Sequence, residues 1–299
     1  MKVSIFSCCV FHLLLLGSFL SACGQASSSA AADSTDFADT VAIPTVAWQA
    51  IAEEGLTLRS RIQVPPGAVR DSFPPDHFGH FLQELPLKAH GSPVHYYNGG
   101  EKPNYGVYDA VIDLPIGNKD LHQCADAVMR LRADYLYSQG RYQDIHFHFT
   151  NGFDVHYSEW RKGKRMVVQG NRTYWRQTSR ASTSSESYWQ YLELIFMYAG
   201  TLSLSKEMRA ISVAELEIGD VFVQGGSPGH AVIVVDVARN PSTGKRFFLL
   251  AQSYMPAQEL QLLKNPSNSD LSPWYEADFG EVLETPEWRF YARDLKRWE

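Results

Sequence analysis

Residues 230–238 read His-Ala-Val-Ile-Val-Val-Asp-Val-Ala and form the most strand-like stretch of the chain. A nearly continuous apolar run of this kind is typical of a strand that is buried on both faces of a sheet. Apolar runs also lie on either side, at residues 221–223 and 246–253. The sequence Arg-Asn-Pro-Ser-Thr-Gly at residues 239–244 is a turn-forming cluster. We therefore predict that these three strands form the centre of an antiparallel sheet.

The turn between the last two strands predicts which residues lie opposite each other. If it is centred near residues 241–242, the numbers of opposite residues sum to about 482–484, and His230 faces Gln252. A small slip would bring Ser253 or Tyr254 opposite His230 instead. An imidazole that acts as a base needs a neighbour to fix its tautomer and orientation, and a carboxamide can do so.

A long helix is predicted over residues 120–139, because the pattern is apolar and periodic and stops at Gly140. Asp120 and Gln123 have the spacing of a capping box, which predicts Asp120 as the N-cap and puts Cys124 at the end of the first turn. A helix N-terminus favours a thiolate, although the effect fades within one turn. Apolar residues share the helical face of Cys124, so its sulfur could equally belong to the core.

The first 22 residues have the features of an export signal. Residues 3–20 form a short apolar segment after a lysine, and this segment is marginal for spanning a bilayer. It ends in Leu20-Ser-Ala-Cys23, which resembles the lipobox of bacterial lipoproteins. The resemblance implies cleavage before Cys23, a lipid anchor on that residue, and a place in the cell envelope at the outer membrane or periplasmic face. An ordinary signal peptide with a chance cysteine is the alternative.

The rest of the chain divides into a tether and a domain. Residues 23–44 are predicted to be a flexible tether, because they hold too little apolar surface to repay the entropy of ordering. Residues 45–299 are long enough for one large globular domain, which we predict to be of the α+β class. The net charge of −6 argues against a nucleic-acid partner. No cofactor is expected.

The cysteine count draws attention to one thiol. The chain has four cysteines, of which Cys8 and Cys9 belong to the export signal and Cys23 to the lipobox. Cys124 is then left without a disulfide partner in a compartment that oxidises thiols. A thiol in that position requires either burial or a chemical role.

Two other clusters could bind ligands. His146 and His148 alternate along a predicted strand, so both rings point to one side. Asp154 or His156 could complete a zinc site with them, and an ordinary polar strand face is the alternative. Residues 161–180 hold seven Lys and Arg residues and no acid. They could hold an anionic envelope polymer or form the solvated face of a hairpin.

The chain order of the helix with Cys124, the strand that opens at His230 and the next strand with Gln252 resembles that of papain-like cysteine hydrolases. In that family a cysteine begins a helix, a buried strand opens with Gly-His, and the next strand carries a polar residue. Residues 218–222 (Ile-Gly-Asp-Val-Phe) and 228–234 (Pro-Gly-His-Ala-Val-Ile-Val) look like the NlpC-type and CHAP-type branch. The resemblance implies that Cys124 is the nucleophile, that His230 is the general base and that Gln252 orients the imidazole.

The same resemblance implies a papain-like α+β fold, in which a central antiparallel sheet packs against the cysteine-bearing helix, with an inserted hairpin and extra helices. It implies substrate contacts from Gly229, Ser253 and Tyr254, and hydrolysis of amide or peptide bonds, commonly in peptidoglycan. The sequence departs from the pattern in two ways. Cys124 lacks the usual neighbours of such a nucleophile, and Gln252 is an unusual third member.

From about residue 57 onward the chain also resembles a family of bacterial lipoproteins known as domain of unknown function 4846. The resemblance is carried by residues 123–132, 228–231 and 251–258 (Ala-Gln-Ser-Tyr-Met-Pro-Ala-Gln) and implies no established activity. From the papain-like resemblance and the export signal, we expect the protein to be a thiol hydrolase of the cell envelope. The alternatives are a non-catalytic envelope binding module with a degenerate pocket, or a zinc-dependent enzyme on His146 and His148.

Overall fold

The computed structural model describes residues 48–299. The predicted export signal at residues 1–22, the predicted lipid-anchor residue Cys23 and the tether at residues 23–44 lie outside the described residues. Ala47–Glu299 form one compact unit. No helix within residues 48–299 has both the length and the apolar composition needed to cross a bilayer.

Six α-helices and three short 3-10 turns occur in this part of the chain. The helices are α1 (Leu58–Arg61), α2 (Phe78–Gln83), α3 (Cys124–Ser138), α4 (Tyr157–Arg161), α5 (Ser185–Tyr198) and α6 (Thr201–Glu207). The 3-10 turns are Tyr105–Val107, Val213–Glu215 and Ala292–Asp294.

Fifteen strands accompany these helices within the described residues. They are β1 (Val69–Arg70), β2 (Tyr108–Val111), β3 (His146–His148), β4 (Asp154–His156), β5 (Lys164–Gln169), β6 (Arg172–Gln177), β7 (Arg209–Ala210), β8 (Val221–Gln224), β9 (His230–Arg239), β10 (Arg246–Gln252), β11 (Gln261–Leu263), β12 (Tyr275–Glu276), β13 (Val282–Glu284), β14 (Arg289–Tyr291) and β15 (Leu295–Arg297).

Nine of these strands form one sheet, in the order β2-β11-β10-β9-β8-β15-β7, with β1 beside β9 and β12 beside β10. All of its pairings are antiparallel. Three two-stranded ribbons, β3-β4, β5-β6 and β13-β14, lie outside it. The predicted α+β class and the predicted antiparallel centre are therefore confirmed.

The hairpin of β9 and β10 forms with a register slightly different from the prediction. Near the turn, Phe248 pairs with Val237, so the paired residue numbers sum to 485. A bulge then shifts the register, and Ala251 pairs with Ile233, which gives 484. Continued to the start of β9, this register puts His230 opposite Tyr254, which is the partner that the small slip in the prediction gives. Gln252 is then the diagonal neighbour of His230, still within reach of a long side chain.

Strand β9 is buried along its whole length except for Arg239, and both α2 and α3 pack against it. Its one acidic residue, Asp236, needs partners in this apolar surrounding. The Asp236 carboxylate accepts a hydrogen bond from Gln83 Nε2 at 2.7 Å. Arg70 Nε lies 2.7 Å from its other oxygen, as an ion pair without hydrogen-bond alignment. These two contacts compensate the buried charge at the centre of the sheet.

Helix α3 begins later than predicted. Its N-cap is Gln123, not Asp120, and the Asp126 carboxylate accepts a hydrogen bond from the Gln123 backbone N–H at 2.9 Å. Asp120 instead accepts a hydrogen bond from the backbone N–H of Ala257. Cys124 is consequently the first residue of the helix, where the exposed amide groups of the helix end are nearest.

The Pro- and Trp-rich segment from residue 256 to the C-terminus lies partly inside the domain. Leu262 of β11, Leu295 of β15 and Trp274 are all buried. Two of its strands join the central sheet on opposite sides, β11 beside β10 and β15 beside β8. This segment therefore completes the core and also reaches the candidate site.

Candidate active site

A cavity of about 720 Å³ opens where α3, β9 and α6 begin. Its wall includes both Cys124 and His230, which are 106 positions apart in the chain. The other lining residues come from six short segments: Gln123, Ala125, Asp126, Thr150, Phe196, Ala199, Gly200, Thr201, Leu202, Gly226, Ser227, Pro228, Gly229, Tyr254, Met255 and Trp288. The cavity thus joins the two residues that the chain order had suggested as nucleophile and base.

The sulfur of Cys124 lies between the N-terminal end of α3 and the first residues of β9. The residue is buried and is the only free cysteine within residues 48–299. Burial, with a smaller effect from Asp126, raises the pKa of the thiol to about 11, and hydrogen bonds from the backbone N–H groups of Ala231 and Ala125 oppose that rise. The contact with Ala231 shows that the sulfur lies beside the residue that follows His230.

The position of Cys124 at the helix start and its burial act in opposite directions on the pKa of the thiol. A helix N-terminus stabilises a negative charge by about 0.3–2 kcal/mol, which corresponds to at most about 1.5 pKa units. The net shift is upward, from 9.0 to about 11. Desolvation therefore exceeds the helix effect, and the resting thiol is neutral at pH 7.

His230 is held by the carboxamide of Gln252. The ring Nε2 lies 2.8 Å from Gln252 Oε1. An amide oxygen can only accept, so Nε2 carries the proton and Nδ1 is the unprotonated nitrogen. Within residues 48–299 no side chain hydrogen bonds to Nδ1. The imidazole is therefore in the tautomer that can accept a proton.

Aromatic rings surround the imidazole of His230. The ring centroids of Tyr254, Trp288 and Phe290 lie 4.7, 5.2 and 5.8 Å from it. This burial lowers the pKa of His230 to about 4, with the Gln252 hydrogen bond opposing the shift and the charge of Lys102 adding to it. The imidazole is therefore neutral at pH 7.

A hydrogen-bonded chain continues behind the imidazole. Gln252 Nε2 donates to Glu287 Oε2 at 2.6 Å, and Lys102 Nζ donates to the same oxygen at 2.6 Å. The ammonium of Lys102 is almost fully buried, and that desolvation lowers its pKa, while Glu287 opposes the shift. The buried ion pair fixes the amide group of Gln252, because only its NH₂ end can donate to Glu287. This leaves the Gln252 oxygen to face His230.

In its resting state the site holds a neutral thiol and a neutral imidazole in one cavity. A pKa of about 11 for Cys124 and of about 4 for His230 lie about seven units apart, which opposes a thiolate–imidazolium pair. Two unit charges 4 Å apart recover about 4 kcal/mol at an effective dielectric constant of 20, or about three pKa units. The neutral pair is therefore favoured in the absence of a substrate.

Two further titratable residues, Asp126 and His122, lie close in sequence to the start of α3. Asp126 Oδ1 and both ring nitrogens of His122 are buried without a hydrogen-bond partner in the part of the chain described. Burial raises the pKa of Asp126 to about 8 and lowers that of His122 to about 3. Both groups are thus mainly uncharged at pH 7.

The three predicted substrate-contact residues differ in their positions. Tyr254 and Gly229 line the cavity. A Cβ on Gly229 would lie 2.6 Å from the carbonyl oxygen of Gly226 and would overlap the hydroxyl of Thr201, so close packing requires glycine here. Ser253 is fully buried outside the lining, and its hydroxyl donates to the backbone carbonyls of His122 and Gln258.

Three residues of the site were missed by the sequence reasoning. Glu287 and Trp288 follow Pro286 in the C-terminal segment, and Lys102 lies between Glu101 and Pro103. Trp288 Nε1 donates to Gln224 Oε1 at 3.0 Å, which holds the indole at the cavity wall. No periodicity or spacing in the sequence marks any of the three. The only signal for Glu287 and Trp288 is a charged residue beside a tryptophan in a segment rich in Pro and Trp, and Lys102 has no such signal.

The second histidine cluster is arranged differently from the expectation. His146 Nδ1 lies 3.0 Å from Asp154 Oδ1, and His156 Nε2 lies 2.9 Å from Asp154 Oδ2. His148 is turned towards Glu207, 3.4 Å away. The predicted partners Asp154 and His156 thus gather around His146, whereas His148 does not join them.

The basic block lies on the ribbon of β5 and β6 and around it. Two of its lysines are paired, because Lys162 and Lys164 both donate to Glu159. Two arginines stack on aromatic rings, Arg161 over Tyr142 and Arg165 over Trp160. Part of the block is therefore already engaged within the domain.

Taken together, the fold and the site define an α+β domain in which one thiol and one neutral, oriented imidazole share a cavity. The family model Domain of unknown function (4846) matches residues 58–297. The chain therefore belongs to that family, as the sequence had indicated. Comparisons with curated proteins and with solved structures gave no match.

Proposed function

We propose that this protein is a thiol hydrolase of amide or peptide bonds, with Cys124 as nucleophile, His230 as general base and Gln252 as the residue that orients the imidazole. One observation carries the proposal. The hydrogen bond from His230 Nε2 to Gln252 leaves Nδ1 free to accept a proton, and the same cavity holds the thiol. An arrangement of nucleophile, base and orienting group is the general requirement of this chemistry.

The reaction follows from the neutral resting pair. As Cys124 Sγ forms its bond to the substrate carbonyl carbon, His230 Nδ1 takes the thiol proton. The amide groups at the start of α3 have no carbonyl partner within the helix and can stabilise the developing oxyanion. The imidazolium then gives its proton to the leaving amine, which leaves a thioester on Cys124. Water hydrolyses the thioester with His230 again as base, which releases the acid and restores the thiol.

The chain order of cysteine helix, Gly-His strand and polar residue on the next strand supports a papain-like arrangement. Helix α3 packs against β9, and β9 opens at His230. The N-terminal end of α3 and the first residue of β9 therefore lie at one cavity, as a papain-like arrangement requires. The inserted ribbon of β5 and β6 and helix α5 lie between Cys124 and His230 in the sequence.

An envelope location fits this activity. The lipobox-like motif ending at Cys23 supports a lipid anchor in the outer membrane or at the periplasmic face. Peptidoglycan is the amide-rich polymer of that compartment. The cavity wall combines apolar side chains, such as Phe196 and Met255, with backbone at Gly200 and Gly226. Such a wall suits a short peptide held through its main chain.

An activated ester tests the chemistry without knowledge of the substrate. Full-length protein in detergent is mixed with p-nitrophenyl acetate, and release of p-nitrophenolate is followed in the first turnover. We expect a burst of one equivalent and an acetyl group on Cys124 in the intact mass. Cys124→Ala should abolish the burst, and His230→Gln should slow it by about 10²–10⁴-fold, the usual contribution of general base catalysis. His95→Ala is the matched control for loss of a histidine and should leave the burst unchanged.

The same protein is then incubated with a muropeptide digest of bacterial cell wall, and products are identified by mass spectrometry. New amide cleavage products that vanish in Cys124→Ala would support peptidoglycan as the substrate. A wild-type protein without a burst, whose Cys124 remains unmodified while folded, would contradict the hydrolase.

A second candidate is an envelope binding module with a degenerate pocket. The observation that favours it is the buried, neutral thiol, whose pKa of about 11 gives little thiolate at pH 7. The two candidates differ in the burst experiment. A binding module would retain muropeptides in equilibrium dialysis, and equally well in Cys124→Ala, but would release no p-nitrophenolate in a burst.

A further inference from the structure

The ribbon of β3 and β4 carries a polar cluster outside the cavity that Cys124 and His230 line. His146 pairs with His156 and His148 with Asp154 across the two strands. Residues two apart on a strand share a face, so all four side chains project from the same side of the ribbon. On the side opposite to the core residues Phe147 and Val155, the ribbon therefore carries only side chains that can act as metal ligands.

Three of these residues converge on one point. His146, Asp154 and His156 can each offer one ligand atom, and these atoms all lie within 4.8 Å of one another. The two imidazole rings are stacked, with centroids 4.8 Å apart. In a tetrahedral site with bonds of about 2.0–2.1 Å, ligand atoms lie about 3.3 Å apart. The nitrogen-to-carboxylate distances of 3.0 and 2.9 Å are already close to that spacing.

The cluster is accessible from an adjoining cavity. His146 and His156 line a cavity of about 570 Å³, and the side chains of the cluster are 35–40 % exposed. A cation could therefore enter and keep a water molecule as a further ligand. Three cationic and three anionic side chains share the lining, so the cavity itself carries little net charge: Arg132, Arg141, Lys206, Asp144, Glu207 and Glu299.

We propose that His146, Asp154 and His156 form a Zn²⁺ site with three protein ligands and water in the fourth position. Two imidazoles and one carboxylate match the ligand preference of Zn²⁺, and three protein ligands with one open position is a known arrangement for this ion. In the metal-free form His146 donates an N–H group to the Asp154 carboxylate, and His156 Nε2 lies 2.9 Å from the other carboxylate oxygen. On binding, each liganding nitrogen gives its lone pair to the metal, and its proton is carried by the other ring nitrogen.

His148 is excluded from the site despite its place on the same face. Its Nδ1 lies 3.4 Å from Glu207 Oε1, and the Glu207 carboxylate also accepts a hydrogen bond from the backbone N–H of His148. Burial raises the pKa of Glu207, and His148 opposes that shift. Glu207 on α6 therefore holds His148 away from the cluster. This makes His148 a matched control on the same ribbon.

Metal binding is tested on full-length protein that has been treated with a chelator and dialysed. Zn²⁺ is titrated by calorimetry, and Co²⁺ is added to a second sample as a spectroscopic probe of coordination. We expect one ion per chain, with visible absorption bands of four-coordinate Co²⁺ that Zn²⁺ abolishes. Asp154→Asn and His156→Ala should each weaken Zn²⁺ at least as much as outer-shell changes do, which is about 10- to 100-fold. His148→Ala should leave the affinity within about threefold of the wild type.

Two results would overturn the zinc site. The first is a wild-type protein that binds no ion, and the second is binding that is lost in His148→Ala and kept in Asp154→Asn. Asp154→Asn keeps the size and hydrogen-bonding oxygen of the side chain, and circular dichroism checks that the variant is folded. The site is independent of the thiol chemistry, so its variants should leave the p-nitrophenolate burst of the metal-free protein unchanged.

Discussion

Replacing His230 should change how the alkylation rate of Cys124 depends on pH. Burial holds the pKa of the thiol at about 11, so about one molecule in 10⁴ carries the thiolate at pH 7. That fraction is about 100-fold smaller than for a thiol with a pKa of 9.0. Reaction through the thiolate alone would therefore be slow at pH 7 and would become tenfold faster with each pH unit.

With His230 as general base, a second pathway is open at lower pH. The pKa of His230 is about 4, so the imidazole is neutral above about pH 5 and can take the thiol proton during attack. This pathway does not depend on pH once the imidazole is neutral. General base catalysis contributes about 10²–10⁴-fold, so it should exceed the thiolate pathway from about pH 5 to about pH 9.

The assay uses iodoacetamide, which is uncharged across this range, with the full-length protein and intact mass as readout between pH 5 and pH 10. The wild type should give a flat rate up to about pH 9 and then a rise. His230→Gln should lose the flat region and react about 10²–10⁴-fold more slowly at pH 7. His95→Ala should behave as the wild type, and circular dichroism verifies the fold at each pH. A tenfold rise per pH unit in the wild type from pH 5, unaffected by His230→Gln, would refute the assignment of His230 as the base.

Three stability predictions follow from buried groups. The pKa of Asp126 is raised from 3.8 to about 8, so the folded state keeps a proton that the unfolded chain releases; stability should fall with rising pH between about pH 4 and 8. Asp126→Asn should remove up to about 1.4 kcal/mol per pH unit of that slope in urea unfolding, and an unchanged slope would contradict the buried neutral carboxyl. Arg70→Ala leaves Asp236 buried without its cation and should cost about 3–5 kcal/mol, whereas the exposed pair lost in Arg239→Ala should cost at most about 1 kcal/mol. Gly229→Ala should cost about 1–3 kcal/mol of unfolding free energy by overpacking, and a neutral effect would show that the loop has room.

Local patterns predicted the centre of the fold well. Residues 230–238 form a buried strand because nearly every side chain is apolar, and the turn cluster at 239–244 leaves few ways to pair it with β10. The helix that carries Cys124 follows from its period and from Gly140. Once both elements pack together, Cys124 and His230 share a cavity, so chain order was sufficient to suggest the pair.

The parts that could not be predicted depend on contacts between distant segments. One bulged residue in β9 changes the sum of the paired residue numbers from 485 to 484, which makes Gln252 the diagonal neighbour of His230, and nothing in the local sequence specifies a bulge. Glu287 and Lys102 meet behind Gln252 although 185 positions separate them. Local sequence patterns carry no information about contacts between residues so far apart in the chain.

The direction of the thiol pKa shift could not be derived from the sequence, for a related reason. The helix position of Cys124 is visible in the sequence and favours a thiolate, but the burial that outweighs it is a property of the assembled domain. Asp126 and His122 could have been expected to add charge near the sulfur. Both are instead neutral, because the packing of α3 on β9 removes water from them.

On the proposed function, burial and reactivity of Cys124 are compatible properties of one site. Oxidation and disulfide exchange proceed through the thiolate, so a pKa of about 11 slows both about 100-fold at pH 7 relative to a thiol of pKa 9.0. At the proposed envelope location, this shift would protect the thiol of Cys124 from oxidation. The same shift leaves little thiolate to act as the nucleophile. A positioned base compensates for this only during attack, when the thiol proton moves to His230 Nδ1. The chain of Gln252, Glu287 and Lys102 then has a role in the reaction, because it keeps the imidazole proton on Nε2 and so leaves Nδ1 as the accepting nitrogen, while burial keeps the ring neutral.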